Sequence, residues 1–376
     1  MRKEKKLRFV TIFPRSENIH LIKDVGMIPY ILYKFYGYDA TLVGYTNPEK
    51  MPYLNNEVEG LKYISVKKTS NEVWDFLKYI IKNARKIDVL QLYHVTSNEN
   101  FRWMIAYKIL NPKGKIYLKL DAGKDITKDF EFNAHNIKAA IKRICLKRCK
   151  LISIETQQLA KQLTAEWKID VSYITNGYYS KESNQEIRFS DKENIICTVG
   201  RLGSEQKNTE ELIDAFIAFS KNNASWNLRL IGPTENNIEE YLERAFIKYP
   251  YIKDKITLCG LIEDRDRLKD EYVRAKIFCL TSRWESFAIV FAEALENGCF
   301  IVTSDVDGAR ERIDNGKYGR IYPIEGKDQL IRILLDVTDN EDLLKTNCVL
   351  SQKYAKENYY WPNICQKIDY LLRVKE

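Results

Sequence analysis

The sequence predicts an α/β protein made of two Rossmann-like domains of similar size, each a parallel sheet covered on both faces by helices. Three observations carry this. Short apolar runs of strand length alternate with amphipathic stretches along almost the whole chain. Strands that alternate with helices give parallel sheets rather than hairpins. One polar stretch without periodicity, residues 174–194, divides the runs into two sets.

In order, the first set reads LRFVTIF, DATLVGY, LKYISV, DVLQLY, KIYLKL and KLISIE. The dividing stretch, ITNGYYSKESNQEIRFSDKEN, holds the turn-forming pair Asn176-Gly177. The second set reads ENIICTVG, WNLRLIG, KITLCG, KIFCLTS, CFIVTSD and YGRIYP. Between strands lie helical patterns such as EELIDAFIAFSKN, with Leu212, Ile213, Phe216, Ile217 and Phe219 on one face. In paired domains of this kind, ligands are expected at the C-terminal ends of the strands.

Composition excludes several classes. At 45% hydrophobic and 30% charged, the 376-residue chain reads as globular rather than disordered or membrane-spanning. The start, MRKEKKLRFVTIF, runs straight into a strand-like segment, so no signal peptide is expected. Eight cysteines scatter through apolar runs without a CxxC pair, and only three histidines accompany them. Reduced thiols in a cytoplasmic protein are the expectation, and a structural zinc site is not. Charge is uneven: residues 1–175 carry a net +13 and residues 176–376 a net −5, within a total of +8. The basic half is expected to meet something anionic: a membrane surface, a lipid phosphate, an acidic partner or nucleic acid. Nucleic acid fits worst, because no binding motif accompanies the charge. In NIKAAIKRICLKRCK (136–150), Ile137, Ala140, Ile141, Ile144 and Cys145 share one helical side. Lys138, Lys142, Arg143, Lys147 and Lys150 share the other. That face suits anionic lipid at the inner membrane side. A docked helix with a solvated basic face is the alternative.

The densest chemistry lies in CLTSRWESFAIVFAEALENG (279–298). A strand ends, a polar turn follows, and a helix is expected near Phe287 with Ser286 as N-cap. The first N–H groups of such a helix would suit an anion such as a diphosphate. Glu285 just before it and Glu293 two turns in would repel a phosphate. They are therefore read as acceptors for sugar hydroxyls, Glu285 on a donor sugar and Glu293 on a ribose. Two solvated acids on a surface helix is the plainer reading of the spacing alone. A second segment, TVGRLGSEQKN (198–208), brings Arg201 and Lys207 on a glycine-containing loop after a strand. Both cations could meet the same anion, Arg as a fork and Lys as a point charge. Two such segments in matching order at strand ends of one domain favour a site over coincidence.

With these residues, the second half resembles glycosyltransferase family 4, the retaining enzymes of the GT-B fold. The resemblance runs through Gly200-Arg201-Leu202 with Lys207, LRLIG ending at Gly232, and ITLCG ending at Gly260. It continues through the Glu-x7-Glu pair at Glu285 and Glu293, then SDVDGARERIDNGKYGRIYP. YYWPNICQKIDYLL around Trp361 is similar to the helix that crosses back to the first domain. Residues 150–372 carry the likeness well and the first 150 thinly. It implies two domains facing a central cleft. Residues 1–175, with the returning helix at about 358–376, would bind the acceptor, and residues 176–357 the nucleotide-sugar donor. It implies that Arg201 and Lys207 hold the donor diphosphate. Glu285, with the backbone of Ser286 and Phe287, would bind the donor sugar, and Glu293 the ribose. Ala288 departs from the glycine the family often has there. Uridine is the base expected from family frequency. The acceptor would be a glycan, a lipid-linked group or a protein, in assembly of cell-surface polysaccharide, glycolipid or glycoprotein. A non-catalytic homologue that partners another transferase, and sugar-nucleotide epimerisation, are the rival readings.

In the first half, KDVGMIPYIL places Gly26 near the first strand–helix turn, where its N–H is expected to face the diphosphate or acceptor. Asp121 stands after KIYLKL, where many family members carry His. It would bond the donor sugar or the acceptor hydroxyl, or else cap the next element. His94 ends the preceding strand and receives at most a minor role. His20 and His135 have no context that raises them. Asp264-Arg265-Asp266 and Asp305-Val306-Asp307 match the metal-holding tripeptide of other transferases. No metal is expected, since fixed cations can supply the same charge stabilisation.

Overall fold

The computed structural model describes residues 6–130, 132, 136–181, 186–235 and 238–374. His135 lies outside them. The chain separates into two units, Met1–Tyr179 with Tyr360–Glu376, and Ser180–Tyr359.

The first unit is built on a seven-stranded sheet in the order β3-β2-β1-β4-β5-β6-β7. Its strands are β1 (Arg8–Ile12), β2 (Asp39–Gly44), β3 (Lys62–Ser65), β4 (Val89–Tyr93), β5 (Lys115–Lys119), β6 (Leu151–Ile154) and β7 (Ser172–Tyr173). Every pairing is parallel. All six runs read from the sequence are strands. β7 went unread, because two residues carry no alternation. Successive residues supply opposite faces. Leu90 and Leu92 of β4, with Ile116 and Leu118 of β5, enter one core. Val89, Tyr93 and Tyr117 enter the other.

The longer helices of this unit are α1 (Asp24–Tyr36), α2 (Glu72–Asn83), α3 (Asn98–Leu110), α4 (Ile137–Lys147) and α5 (Gln157–Trp167). Asn71 and Asn136 cap α2 and α4 by accepting from the N–H groups of Trp74 and Ala139. The α4 faces differ from the sequence expectation. Ala139, Cys145 and Leu146 are buried, whereas Ile137, Ile141 and Ile144 are exposed. The basic face does not simply turn to water. The Lys142 ammonium lies over the rings of Phe101 and Phe130 at 5.3 and 5.4 Å. Arg143 donates to the Phe132 carbonyl at 2.8 Å. Small Ala139 lets the helix approach its neighbours, and the long cationic stems cover aromatic rings beside it.

The second unit carries a six-stranded parallel sheet in the order β10-β9-β8-β11-β12-β13. The strands are β8 (Glu193–Val199), β9 (Asn227–Ile231), β10 (Ile256–Gly260), β11 (Ala275–Leu280), β12 (Phe300–Ser304) and β13 (Gly319–Tyr322). All six match the runs read from the sequence. The longer helices are α6 (Thr209–Ser220), α7 (Ile238–Lys248), α8 (Arg265–Arg274), α9 (Val290–Glu296), α10 (Lys327–Thr338) and α11 (Glu341–Tyr359). The chain then returns to the first unit as α12 (Trp361–Arg373). Trp361, Ile364, Cys365, Ile368 and Leu372 of α12 are buried in the same core as α1. Tyr38 donates to Asp369 at 2.8 Å and Lys115 to the Leu372 carbonyl at 2.5 Å. Among the described residues no helix is long and apolar enough to cross a membrane.

Candidate active site

In the second unit, two loops at strand C-terminal ends are tied together. The loop after β8 turns on itself, with the Ser204 hydroxyl donating to the Arg201 carbonyl at 2.8 Å and Lys207 N–H to the Ser204 carbonyl at 3.0 Å. The loop after β11 holds it from the other side. Thr281 donates to the carbonyls of Lys207 and Asn208 at 2.9 and 3.0 Å, and Arg283 N–H to the Gln206 carbonyl at 2.8 Å. Gln206 donates in turn to the Trp284 carbonyl at 2.9 Å.

This zipper brings Lys207 and Glu285 together. The ammonium lies 2.5 Å from Glu285 Oε1, with side-chain exposures of 16% and 7%. Ser282 donates to the same oxygen at 2.7 Å. Both of these contacts fall on Oε1 of the carboxylate. Glycine makes room for the lysine. A Cβ on Gly200 would lie 3.0 Å from Lys207 Cε. Gly232, at φ +135°, lets the β8 and β9 ends meet, since a Cβ there would lie 1.8 Å from the Gly200 carbonyl oxygen.

Arg201 has other partners. It donates to Gln206 at 2.8 Å, stands 3.7 Å from Glu235, and its side chain is 55% exposed. Glu293 is largely buried, with Arg265 donating to Oε1 at 2.5 Å and Tyr272 to Oε2 at 3.0 Å. The structure therefore joins Lys207 to Glu285. It sets Arg201 and Glu293 in separate polar networks of the same unit.

The turn between β11 and α9 corrects one expectation. The helix begins at Val290, not near Phe287, and Ser286 is not its N-cap. Ser286 and Phe287 belong to an irregular turn in which Ala288 has φ +54°. Arg312, only 2% exposed, organises this turn. It donates to the Ser286 carbonyl at 2.9 Å and lies 4.6 Å over the Phe287 ring. Sequence reasoning missed Arg312, which lies in the GARERI run after β12. A cation followed by an apolar residue in a turn-rich stretch was the signal.

Two of the four tripeptide acids, one in each tripeptide, have structural partners. Asp264 caps α8 by accepting from Asp266 and Arg267 N–H, and Asp305 pairs with Arg310 at 2.8 Å. Among the described residues no group of three or more His, Cys, Asp or Glu could hold a metal ion.

In the first unit Gly26 is not a ligand-facing glycine. Its N–H donates to the Lys23 carbonyl at 3.1 Å, and a Cβ would lie 2.3 Å from the Leu21 carbonyl oxygen. Close packing of α1 on the preceding turn is what requires glycine here. His94 and Asp121 follow β4 and β5 in the left-handed region, at φ +66° and +43°. Asp121 caps no helix, since the next one starts at Ile126 with Asp125 before it. Beside Asp121 is a buried cluster that sequence reasoning did not find. Lys119 is fully buried, pairs with Glu155 and stands 3.7 Å from Asp24. Burial pushes the Asp24 carboxyl up to about 6 and the Glu155 carboxyl up to about 7, with Asp121 adding to both. The two carboxylates hold Lys119 in its charged form.

Comparison with known proteins bears on the second unit first. Residues 180–356 match the family described as Glycosyl transferases group 1. Mannosylfructose-phosphate synthase of Agrobacterium fabrum is 25% identical over 186 residues, 48% of this chain and 40% of that protein. The chain thus aligns with less than half of that relative's length. Among solved structures, sucrose-phosphate synthase of Thermosynechococcus elongatus superposes with a TM-score of 0.71 at 14% identity, covering 98% of each chain. HepE of Anabaena, in complex with UDP, superposes with a TM-score of 0.71 at 14% identity, covering 98% of this chain and 99% of that one. The fold is GT-B, two parallel-sheet α/β domains.

Proposed function

Because residues 180–356 match the glycosyl transferases group 1 family, we propose that this chain is a retaining glycosyltransferase that moves a sugar from a UDP-sugar to a hydroxyl acceptor. The observation that carries the reading is the Lys207–Glu285 pair, built on two interlocked loops at strand C-terminal ends of the family-matched unit. In glycosyl transfer positive charge grows on the sugar ring while negative charge grows on the leaving group. The Lys207 ammonium stabilises the leaving diphosphate, and Arg201, exposed on the same loop, adds a second cation. Glu285 Oε2 accepts from a hydroxyl of the donor sugar. Glu293 serves the ribose, with Arg265 and Tyr272 fixing its orientation. Arg312 holds the Ser286–Phe287 backbone against the donor. No metal enters this reading, since side-chain cations supply the charge. Asp121 of the first unit acts on the acceptor side. The acceptor hydroxyl attacks on the face that the diphosphate leaves, and the departing phosphate oxygen takes its proton. UDP is favoured because HepE, of the same fold, binds it.

The acceptor is a glycan, lipid-linked group or protein, and the enzyme works in the cytoplasm as a peripheral protein beside an anionic surface, as the basic first half suggests. The test is a screen of nucleotide-sugars read by released nucleoside diphosphate, with Lys207→Ala and Arg201→Ala alongside. Loss of turnover in folded variants is expected. Full turnover in both removes the leaving-group chemistry.

A further inference from the structure

Lys192 stands just before β8, in the polar run SDKEN, where a lysine reads as a solvated charge. The structure turns it inward, and it is only 8% exposed. Its ammonium faces four backbone carbonyls. Those of Asn297 and Ala275 lie at 2.7 and 2.8 Å, and those of Val273 and Tyr272 at 3.2 and 3.3 Å. These carbonyls belong to two helix ends. Tyr272 and Val273 lie in the last turn of α8, which Ala275 follows, and Asn297 follows α9. Carbonyls at a helix C-terminus lack intrahelical partners and carry the negative end of the helix dipole, so one buried cation serves both ends. The N–H donors of a single ammonium thereby tie the two ends to each other.

The two helices pinned in this way are the ones that hold Glu293. Tyr272 of α8 reaches across to donate to Glu293 Oε2 at 3.0 Å, and Arg265 of α8 donates to Oε1 at 2.5 Å. Behind Glu293, the Asn297 side chain donates to the Glu293 carbonyl at 2.9 Å, and the Asn297 N–H donates to the same carbonyl at 3.2 Å. Tyr272 orients the carboxylate, Asn297 closes the helix that carries it, and both have their own carbonyls on Lys192. A slip of about 1 Å between the two helix ends would carry the Tyr272 hydroxyl out of hydrogen-bond range.

From these contacts we infer that Lys192 is a positioning residue for Glu293, holding α8 and α9 in the register that aims the carboxylate at the ribose hydroxyls of the donor. It acts through the two helices rather than on the nucleotide itself. This rests on the reading of Glu293 as the ribose acceptor proposed above. A cation that only stabilised the fold would weaken every nucleotide alike. One that aims Glu293 is felt only by a nucleotide that has ribose hydroxyls.

The test titrates the full chain with UDP and with 2′,3′-dideoxy-UDP by calorimetry and compares the two dissociation constants. Their ratio does not depend on the fraction of protein that is folded. Wild type is expected to prefer UDP by about tenfold or more, the ordinary worth of hydrogen bonds to a charged group. Lys192→Met keeps an apolar stem and removes the ammonium. Cys299, whose thiol donates to the Tyr272 and Ala275 carbonyls at 3.2 and 3.3 Å, remains to serve part of the vacated set. The variant should bring the preference for UDP below about threefold. If it does not fold, Asn297→Ala decides in its place, since it cuts the side-chain tie to Glu293 and leaves the backbone carbonyls on Lys192. Glu293→Ala is the reference and should lose the preference. Where it does, a preference kept in the deciding variant overturns the inference and leaves Glu293 on the ribose. Equal weakening of both nucleotides is such a result and makes Lys192 structural only. A preference that Glu293→Ala keeps overturns the ribose reading and the inference together, as does a wild type that binds neither nucleotide or both equally.

Discussion

Lys207 and Glu285 each carry a charge that the other compensates, and both are largely shielded from water. Removing one member alone leaves the other charge without its partner. Glu285→Gln is therefore expected to lower kcat by about 10²–10³-fold, the usual cost of losing one preorganised electrostatic contact. The Lys207→Ala and Glu285→Ala pair should be non-additive by at least about 1 kcal/mol in a double-mutant cycle on stability, and an additive cycle would dissolve the pair as a unit. These two residues were legible in the sequence because each lies in a motif at a strand end. The Asp24, Lys119 and Glu155 cluster was not, because its members lie far apart in sequence and only the fold joins them. The one local hint was a lysine at an inward position of the apolar run IYLKL. Lys119→Met leaves two buried carboxylates facing each other, which is expected to cost about 3–5 kcal/mol in urea unfolding. The acids also impose a pH dependence. Asp24 and Glu155 bind protons more tightly folded, at about 6 and 7, than their ordinary 3.8 and 4.5. The stability they contribute is complete below the ordinary values and falls as pH rises through the folded ones. Glu155→Gln, a mimic of the protonated acid, should thus gain in melting temperature relative to wild type between about pH 4.5 and pH 7. A constant gap across that window would refute the assignment.

At the level of single elements, the strands were read well and the helix starts and faces less so. Strand residues alternate between two buried faces, so β4, β5, β8 and β11 announce themselves as predominantly apolar runs. The start of α9 was read three residues early, because Ser286 looks like an N-cap by type. In the structure Arg312 takes the Ser286 carbonyl and the Phe287 ring, and the chain turns at Ala288 before the helix begins. Periodicity grouped the isoleucines of α4 correctly but could not say which side docks. That choice is made by Ala139, Phe101 and Phe130, through close approach and ring contacts from elsewhere in the chain. Ala288 at φ +54° holds a conformation that costs an L-residue with a Cβ about 1 kcal/mol or more. Ala288→Gly should accordingly raise stability by up to about 1 kcal/mol, less the entropy glycine adds to the unfolded chain. A loss of the full glycine entropy, about 0.4–1 kcal/mol, would mean that the turn is not strained. Gly232→Ala should do the reverse and severely. Its Cβ would meet the Gly200 carbonyl, and the displaced β8 end would carry Lys207 with it.

The chain as a whole is two α/β units of opposite charge tendency whose composition in sequence is interleaved only at the end, where α12 leaves the second unit and completes the first. The sequence placed the division within one polar stretch, because a linker needs no apolar period. The resemblance assigned the returning helix to the first unit, as the structure has it, but periodicity alone could not show that its side chains share the α1 core, since that depends on packing between residues more than three hundred positions apart. Trp361, Ile364, Cys365, Ile368 and Leu372 together cover a face of the first unit that would otherwise lie open. Burial of such side chains is worth roughly 1.5–3 kcal/mol each, comparable in sum with the whole stability of a domain. The α12 helix thus serves the unit it returns to, not the one it follows. Removing residues 360–376 should abolish or strongly lower the calorimetric transition of the first unit. The transition of the second should persist, and it alone should rise on addition of UDP, because a ligand that binds only the folded state stabilises it by mass action. A truncated chain that keeps both transitions would show α12 to be dispensable. A UDP-induced rise in the first unit's transition alone would move the nucleotide away from Lys207 and Glu285.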